Sequence, residues 1–358
     1  MKTLFITTIM KALRYIPILG NILICSILLS SCDVHEFPDP LDREIQFVLN
    51  LDYDTNLPLY KVVNLTDGSR ASTEDIDIRY IVEVYPAEEE NKSSERNVLH
   101  RFTFTKEDIS TLNHNIELPL KRGKYNFVVW SDYVNEDDND LYYDTSNLDD
   151  IFLCGDTHIG SNDLRDAFRG TITSEVSDNI NSATVEMRRP MAKFNFISND
   201  VSEFVKSVQV IRAEKKEAKS ENNTDNNTGI VEHEEINFSD FNIVFRYNGF
   251  MPNSFNAFSN KPSDSQLGVS FNSSINILES GEAELGFDYI FVNGTESIIS
   301  VSVEVYDYDG NLLSRFKPVD VPIIRSHLTT VKANFLTSGT GGVTIIPDFD
   351  GNFNIEVN

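Results

Sequence analysis

Short apolar runs that alternate in part with polar residues recur along the chain and predict β-strands. In the first half these runs lie at 44–51, 77–85, 98–104, 115–120 and 123–130. Each ends in a cluster of Gly, Pro, Asn or Asp, which is typical of the turns of a β-sandwich. Alternate residues of a strand point the same way, so Ile45, Phe47 and Leu49 should share one face. Phe127, Val129 and Trp130 should be largely buried in the same domain.

The second half repeats this pattern after an interrupted acidic stretch, in which we expect one short helix near 163–168. Strand-like runs follow at 170–174, 183–187, 191–197, 205–211, 241–247, 285–292, 298–306, 311–316, 329–336 and 351–357. Asp309-Gly310-Asn311 between two of them is a strong signal for a hairpin turn. We find no sustained helical periodicity, and 215–227 is expected to be a mobile loop because apolar residues are nearly absent from it. Val301, Val303 and Val305 should face a second core, with Phe287, Tyr289 and Phe291 on a neighbouring strand.

The length of the chain after Cys32, about 326 residues, exceeds the usual size of one hydrophobic core and favours two domains. Arg188-Arg189-Pro190 marks a boundary, because proline cannot donate a hydrogen bond to a sheet. We therefore predict an all-β protein with two β-sandwich domains in series, over 43–190 and 191–358. They should meet between Met187 and Phe204.

The N-terminus has a different pattern. Lys2, Lys11 and Arg14 are its only charges, and an apolar run then leads to Ser30-Ser31-Cys32. This order is typical of a secretory signal peptide. The apolar run of about 14 residues is too short for a spanning helix, which needs roughly 20. We assign 1–31 to the signal peptide and the acidic segment 32–42, which contains two prolines, to an extended tether.

Leu29-Ser30-Ser31-Cys32 resembles the bacterial lipobox, in which an apolar residue and two small residues precede a cysteine. The resemblance implies that the chain is cut before Cys32 and that this cysteine carries fatty acyl chains such as palmitate. Each buried CH₂ contributes about 0.8 kcal/mol, and stable anchoring takes at least two chains. The lipid on Cys32 would therefore tether the protein to a membrane. The alternative is an ordinary signal peptide followed by a chance cysteine.

Charge and cysteine content exclude several classes of function. Three of the 30 basic residues and none of the 56 acidic ones precede Cys32, which leaves a net charge of −29 after the cut. Nucleic-acid phosphates would repel such a chain, so we expect no binding to DNA or RNA. Cys154 is the only cysteine after Cys32, so no disulfide and no cysteine metal site can form within the mature chain. We interpret Cys154 as a buried small hydrophobic residue.

Catalytic motifs are missing from the sequence. There is no Gly-x-Ser-x-Gly motif, no glycine-rich phosphate loop, and no metal-binding spacing among the six histidines. His327, beside a predicted strand, is interpreted as a surface or edge residue. We therefore expect neither an enzyme nor a cofactor.

Two features leave alternatives open. The run 132–140 crowds oxygen ligands as a calcium site would, and 144–150 is a sparser candidate. The run lacks the glycine and the distant glutamate of an EF-hand loop, so a solvated loop is the better interpretation and no metal is predicted. Trp130, Tyr142 and Tyr143 could form a platform for a glycan, although Trp130 ends an apolar strand and fits a core better.

Four segments together resemble the fimbrillin superfamily, in particular the minor or anchor lipoproteins of Bacteroides-type bacteria. They are 29–37, 118–133, 187–196 and 321–337, which span most of the mature chain in order. The resemblance implies two transthyretin-like sandwiches, a place at the outer membrane, and assembly with fimbrial subunits by strand exchange. Polymerising members lose a leader at a basic site, whereas Arg43 and Arg70 are isolated here. This difference favours a retained lipid, and therefore an anchor or a solitary surface protein over a shaft subunit.

The function expected from these observations is that of a cell-surface lipoprotein. It would act as a structural, anchoring or accessory subunit of fimbriae in adhesion, with other fimbrial subunits as partners. Candidate exchange elements are 342–346 and the C-terminal run in which Phe353, Ile355 and Val357 share a face. Both runs could instead be permanent edge strands. The alternative function is a glycan-binding surface lipoprotein of a polysaccharide-uptake system.

Overall fold

The strands of the first half form two facing sheets. The computed structural model describes residues 43–54, 76–87, 97–106, 112–135, 139–220, 235–337, 343–347 and 355–357. The strands of this half are β1 (Ile45–Tyr53), β2 (Ile76–Pro86), β3 (His100–Lys106), β4 (Asn115–Leu120), β5 (Gly123–Asn135), β6 (Tyr143–Asp144), β7 (Ile151–Leu153), β8 (Phe168–Val176) and β9 (Ser182–Met187). One sheet has the order β4-β1-β9 and the other β3-β2-β5-β8, and together they form the first sandwich.

The core of the first sandwich is made by alternate residues of these strands. Phe47, Leu49, Phe127 and Val129 are fully buried in one apolar cluster, and Ile45 packs against its edge. Burying a side chain of this size contributes about 1.5–3 kcal/mol. The predicted shared face of β1 and the burial of β5 are thus confirmed. Trp130 is also fully buried, but it faces away from this core.

The second half forms another pair of sheets. Its strands are β10 (Met191–Ser198), β11 (Asn242–Tyr247), β12 (Met251–Pro252), β13 (Ser254–Asn256), β14 (Lys261–Pro262), β15 (Ser265–Gln266), β16 (Ser270–Ser273), β17 (Asn276–Ile277), β18 (Ala283–Phe291), β19 (Glu296–Tyr306), β20 (Leu312–Ile324), β21 (Leu328–Ala333), β22 (Val343–Pro347) and β23 (Ile355–Val357). The sheet order is β17-β18-β10-β21-β22-β23 in one layer and β16-β11-β19-β20 in the other. The all-β sandwich prediction is confirmed.

The core of the second sandwich contains the predicted valines. Val301, Val303 and Val305 of β19 are buried with Phe196 and Phe245. The prediction for β18 needs a correction: this strand pairs with β10 and β17 in the facing sheet, not with β19. Its three aromatic residues point away from the valines. These residues are Phe287, Tyr289 and Phe291. The prediction failed because both faces of β18 are buried, so alternation alone cannot assign a side.

Both sandwiches follow the same seven-strand plan. In each, the first strand (β1 or β10) is central in its sheet, antiparallel to one neighbour (β4 or β18) and parallel to the last strand of the plan (β9 or β21). The other sheet also has the same order in both, β3-β2-β5-β8 and β16-β11-β19-β20. The second sandwich adds β22 and β23 beyond β21, each paired antiparallel to the strand before it.

A helix replaces the strand predicted at 205–211 and the start of the loop predicted at 215–227. Helix α1 spans Val201–Ser220. Phe204 and Val208 are buried in the second core, and Val201 and Val205 pack against it. This i, i+3, i+4, i+7 spacing is helical, but the β-branched residues in it also suit a strand, which explains the error. Among the described residues, none of the helices has the length and apolar composition to cross a membrane.

A third apolar cluster, called the junction cluster here, joins the two halves. It combines Ile81, Val128 and Trp130 from the outer face of the first sandwich with Met191 and aromatic residues of β18 from the second. A small sheet of order β14-β13-β7-β6 contains strands from both halves. Strands β2 and β5 are therefore buried on both faces along most of their length. That 43–190 and 191–358 are separate domains stays a prediction.

Candidate functional site

The junction is built largely from two connections that differ between the sandwiches. In the first half, β5 and β8 are joined by a long segment that carries β6 and β7, whereas β19 and β20 are joined by a short turn. In the second half, β11 and β16 are joined by a segment that carries β12 to β15. The two long segments meet where Phe255 pairs with Ile151. Loops placed on a rigid sheet framework commonly carry function, so this region is the first place to seek a site.

A buried polar network lies at this junction. Asp288 of β18 contacts Arg165, and it accepts hydrogen bonds at 2.5 Å from His158 Nε2 and from the hydroxyl of Tyr247. The backbone carbonyl of Arg165 accepts a hydrogen bond at 2.5 Å from Tyr143 Oη. The charged side chains of Arg165 and Asp288 are almost fully buried. Buried charges persist only when they are paired and hydrogen-bonded, as they are here.

Electrostatics keep the central carboxyl ionised. Burial alone raises the pKa of Asp288, but the attraction of Arg165 and of His158 and the hydrogen bonds from His158 and Tyr247 outweigh it. The pKa of Asp288 therefore lies below its ordinary value. Burial and the nearby Asp288 charge raise the pKa of Tyr247 well above its ordinary value, so this phenol stays a hydrogen-bond donor.

Two further arginines stabilise the same region through hydrogen bonds. Arg189, fully buried, makes two hydrogen bonds of 2.7 Å to Asp166, and its guanidinium stacks 4.5 Å from the centre of the Phe168 ring. Such two-point pairing fixes geometry as well as charge. Arg169 donates to the carbonyl of Ala257 at 2.5 Å, which links β8 to the long segment of the second half. Burial and a neighbouring arginine lower the pKa of Arg169 to about 10.

A cleft of about 430 Å³ opens beside this network and is called the junction cleft here. Both long segments contribute to its walls. Its lining residues are Tyr142, Leu153, Cys154, Gly155, Asp156, Thr157, His158, Ile159, Arg165, Met251, Asn253, Gln266, Gly268, Val269 and Ser270.

The cysteine and the aromatic residues singled out from the sequence divide between core and cleft. Trp130 and Tyr143 are buried in the junction cluster, so they form no surface platform for a glycan. Tyr142 is half-buried and lines the cleft. Cys154 is half-buried rather than buried and also lines the cleft. Burial, with Asp140, Asp144 and Asp132 nearby, raises the pKa of its thiol to about 11, so it is a poor nucleophile at neutral pH.

Two carboxylates of the segment 132–140, the calcium candidate, pair with an arginine. Arg79 donates to Asp132 at 3.0 and 2.8 Å and lies 2.6 Å from Asp140. Residues 136–138, within this stretch, lie outside the described residues. In the described part of the chain no group of three or more His, Cys, Asp or Glu side chains is arranged to hold a metal ion. His327 lies in the turn between β20 and β21, and its Nδ1 is 2.7 Å from the carbonyl oxygen of Arg325.

The outer strands of the sheets are the second candidate site, because an exposed edge can accept a further strand. Several edge strands are poorly suited to accept a further strand. Strand β4 contains Pro119, β20 contains Pro318 and Pro322, and β16 and β17 are short. Four of the seven residues of strand β3 are exposed, Arg101 among them, and Lys106 is half-buried. The sheet that contains β10 ends at β23, which pairs with β22 through Val343–Val357, Thr344–Glu356 and Ile345–Ile355.

Two of the three predicted exchange residues therefore lie in a strand that is paired within the chain. Ile355 and Val357 belong to β23, while Phe353 lies outside the described residues. Cys32 also lies outside them, so its lipidation stays a prediction. Sequence reasoning did not single out Arg165, His158 or Asp288 as site residues. Arg165 and Asp288 are 123 residues apart, and neither lies in a recognisable motif.

Comparison with solved structures returns low-identity matches over most of the chain. A protein of Bacteroides thetaiotaomicron named as a candidate polysaccharide-binding protein is 11% identical, with a TM-score of 0.47 over 88% of this chain and 99% of that chain. A candidate adhesin of the same species is 12% identical, with a TM-score of 0.45 over 90% and 100%. The fimbrial anchor protein Mfa2 of Porphyromonas gingivalis is 10% identical, with a TM-score of 0.41 over 88% and 100%.

Sequence comparison gives a family without a known activity. No curated protein matches the chain. One family model matches residues 41–358, nearly everything after the predicted signal and tether, and it is described as a family of unknown function. The chain therefore belongs to the family of unknown function DUF6562.

Proposed function

We propose that this protein is a surface lipoprotein that serves as an anchoring or accessory subunit of fimbriae. Lipid on Cys32 would hold it to the outer membrane, and its C-terminal strands would join it to a neighbouring subunit by strand exchange. The observation that carries the proposal is the pair β22 and β23. The seven-strand plan is complete without them, because the first sandwich has the same plan and stops at β9.

A terminal strand pair outside the shared plan is suited to exchange. Strand β22 pairs with β21 through four residue pairs and β23 pairs only with β22 among the described strands. If the pair left, the edge of β21 would present the backbone N–H and C=O groups that a donated strand needs. The prolines of β4 and β20 and the shortness of β16 and β17 make other edges less suitable.

The membrane part of the proposal is tested in the source bacterium with Cys32→Ala. Metabolic labelling with a fatty acid should mark the wild-type chain and fail to mark the variant, and filaments should be shed into the medium. Cys154→Ala is the matched control and should keep both label and filaments. Persistence of the label on Cys32→Ala would place the anchor elsewhere.

The assembly part is tested with a chain that lacks 351–358. Wild-type protein should bind filaments sheared from cells of the source bacterium, and the truncated protein should lose this binding at least tenfold while its circular dichroism stays the same. A truncated protein that folds and still binds filaments would rule out β23 as the exchange element. If the wild type itself fails to bind filaments, the fimbrial role is wrong.

A further inference from the structure

The junction cleft is a built site that the anchoring role does not use. Its walls come from the two connections that the shared seven-strand plan lacks, the β5–β8 segment and the β11–β16 segment. Its volume of about 430 Å³ falls within the range of small-molecule sites, about 300–1,000 Å³. His158 and Arg165, which both contact the buried carboxylate of Asp288, line one side of the cleft. Such support is what holds a binding site in one geometry.

The hydrogen-bonding groups that line the cleft are mainly uncharged. Tyr142, Thr157, Gln266 and Ser270 supply hydroxyl and amide groups. Asn253 also lines the cleft, and its Oδ1 is buried without a hydrogen-bond partner. Amides and hydroxyls both donate and accept, which matches a ligand whose hydroxyls also do both.

The arginine that lines the cleft, Arg165, already has partners for its charge. Arg165 donates to Asp288, to the carbonyl of Ile159 at 2.8 Å and to the carbonyl of Tyr289 at 3.3 Å. The remaining charged lining residue, Asp156, is exposed. The chain as a whole carries a net charge of −26, which opposes the approach of an anion. A neutral ligand fits these charges better than a sulfate, phosphate or carboxylate group.

Two exposed apolar side chains are next in sequence to residues that line the cleft. Phe250 is 68% exposed and Leu267 is 58% exposed. They flank a strand pair in which Met251 is opposite Gln266, two residues that line the cleft. An exposed aromatic ring next to hydrogen-bonding groups suits a sugar, because the C–H face of the sugar packs on the ring while its hydroxyls bind the polar wall.

We propose that the junction cleft binds a neutral carbohydrate, with Phe250 as the stacking ring and Thr157, Asn253, Gln266 and Ser270 as the hydrogen-bonding wall. This inference is independent of the anchoring role and concerns a different part of the molecule. It gives the protein a second means of surface attachment, through glycans.

The test applies the full mature chain to a printed array of neutral, sialylated and sulfated oligosaccharides, followed by titration calorimetry with the strongest neutral glycan. Thr157→Trp places an indole at an exposed position of the cleft wall and should weaken binding at least tenfold. Phe250→Ala should weaken it about three- to tenfold. The matched controls are Thr295→Trp, at another exposed threonine, and Tyr308→Ala, at an aromatic residue that is 87% exposed and does not line the cleft.

Three outcomes overturn the proposal. These are failure of the wild type to bind any neutral glycan, binding restricted to sialylated or sulfated glycans, and equal binding by Thr157→Trp and wild type. Thermal unfolding of each variant is measured in parallel. Should Thr157→Trp fail to fold, the double variant Asn253→Ala, Gln266→Ala replaces it, with Asn179→Ala as the control amide. Unchanged binding in a folded double variant also overturns the proposal.

Discussion

The two sandwiches share a plan but differ in what is attached to it. Each uses seven strands in the same order, with the first strand parallel to the last. The first carries a long β5–β8 connection, and the second carries helix α1, a long β11–β16 connection and the strands β22 and β23. Since the plan is complete without these additions, they are where the two halves differ in structure. The connections build the junction and its cleft, and the terminal strands extend a sheet edge.

The largest expected effect comes from breaking the junction that joins the two sandwiches. Asp288→Ala leaves Arg165 buried and unpaired, which should lower the free energy of unfolding by about 3–5 kcal/mol. Denaturant unfolding measures this loss. The control is Asp178→Ala, which removes an exposed ion pair with Arg122 and should cost at most about 1 kcal/mol. Equal losses in the two variants would show that the buried network does not hold the halves together.

The same pair has a pH signature with a definite sign. The pKa of Asp288 is lower in the folded chain than its ordinary value, so its contribution is present above that ordinary value and is lost as pH falls through the folded pKa. Wild-type stability should therefore fall on acidification below about pH 4 by more than the stability of Asp288→Ala does. Parallel curves for the two proteins would contradict the lowered pKa.

A smaller effect is expected when the second sandwich is cut back to the plan of the first. Deleting 343–358 removes the four residue pairs between β21 and β22 and the three between β22 and β23. Cross-strand pairs contribute about 0.2–1 kcal/mol each, so the four at β21 suggest a loss of about 1–4 kcal/mol with both cores retained. Denaturant unfolding and near-UV circular dichroism check this. Complete unfolding would show that β22 and β23 belong to the core of the second sandwich.

The first sandwich contains a close approach that a single methyl group should disturb. A Cβ added at Gly170 of β8 would lie 2.4 Å from Val185 Cγ1 and 2.8 Å from the carbonyl oxygen of Glu186, both in β9. Gly170→Ala should therefore cost about 1–3 kcal/mol, because backbone of the adjoining strand cannot yield easily. Gly249→Ala is the control, since nothing lies within 4 Å of its added Cβ, and it should change stability by at most about 0.5 kcal/mol. Thermal unfolding of the two variants decides between them.

The comparison also shows where sequence reasoning succeeds. The shared face of β1 and the inward valines of β19 follow from alternation, because one side of each strand is buried more than the other. The faces of β18 did not follow, since both are covered. Helix α1 was missed because valine and isoleucine fit a strand as well as one helical face.

The junction was beyond prediction for a different reason. Its network joins Arg165 to Asp288 across 123 residues, and only the packing of one sandwich on the other brings them together. Nothing local distinguishes a buried arginine from an exposed one. Tyr142 was selected from the sequence as one of three aromatic residues, and it alone of the three lines the cleft.

The last prediction concerns the reactivity of Cys154, in the β5–β8 segment, rather than stability. Its thiol lines the junction cleft, and burial with nearby carboxylates raises its pKa to about 11, against about 8.5 for an unperturbed cysteine. At pH 8 the thiolate fraction should then be about 200-fold smaller than that of a free thiol. Native protein should therefore react with iodoacetamide far more slowly than urea-unfolded protein, and the native rate should rise about tenfold per pH unit from 8 to 10. Cys154→Ser, which has no thiol after Cys32, gives the background of the assay. If native and unfolded chains react equally fast at pH 8, the β5–β8 segment does not hold Cys154 in the environment described here.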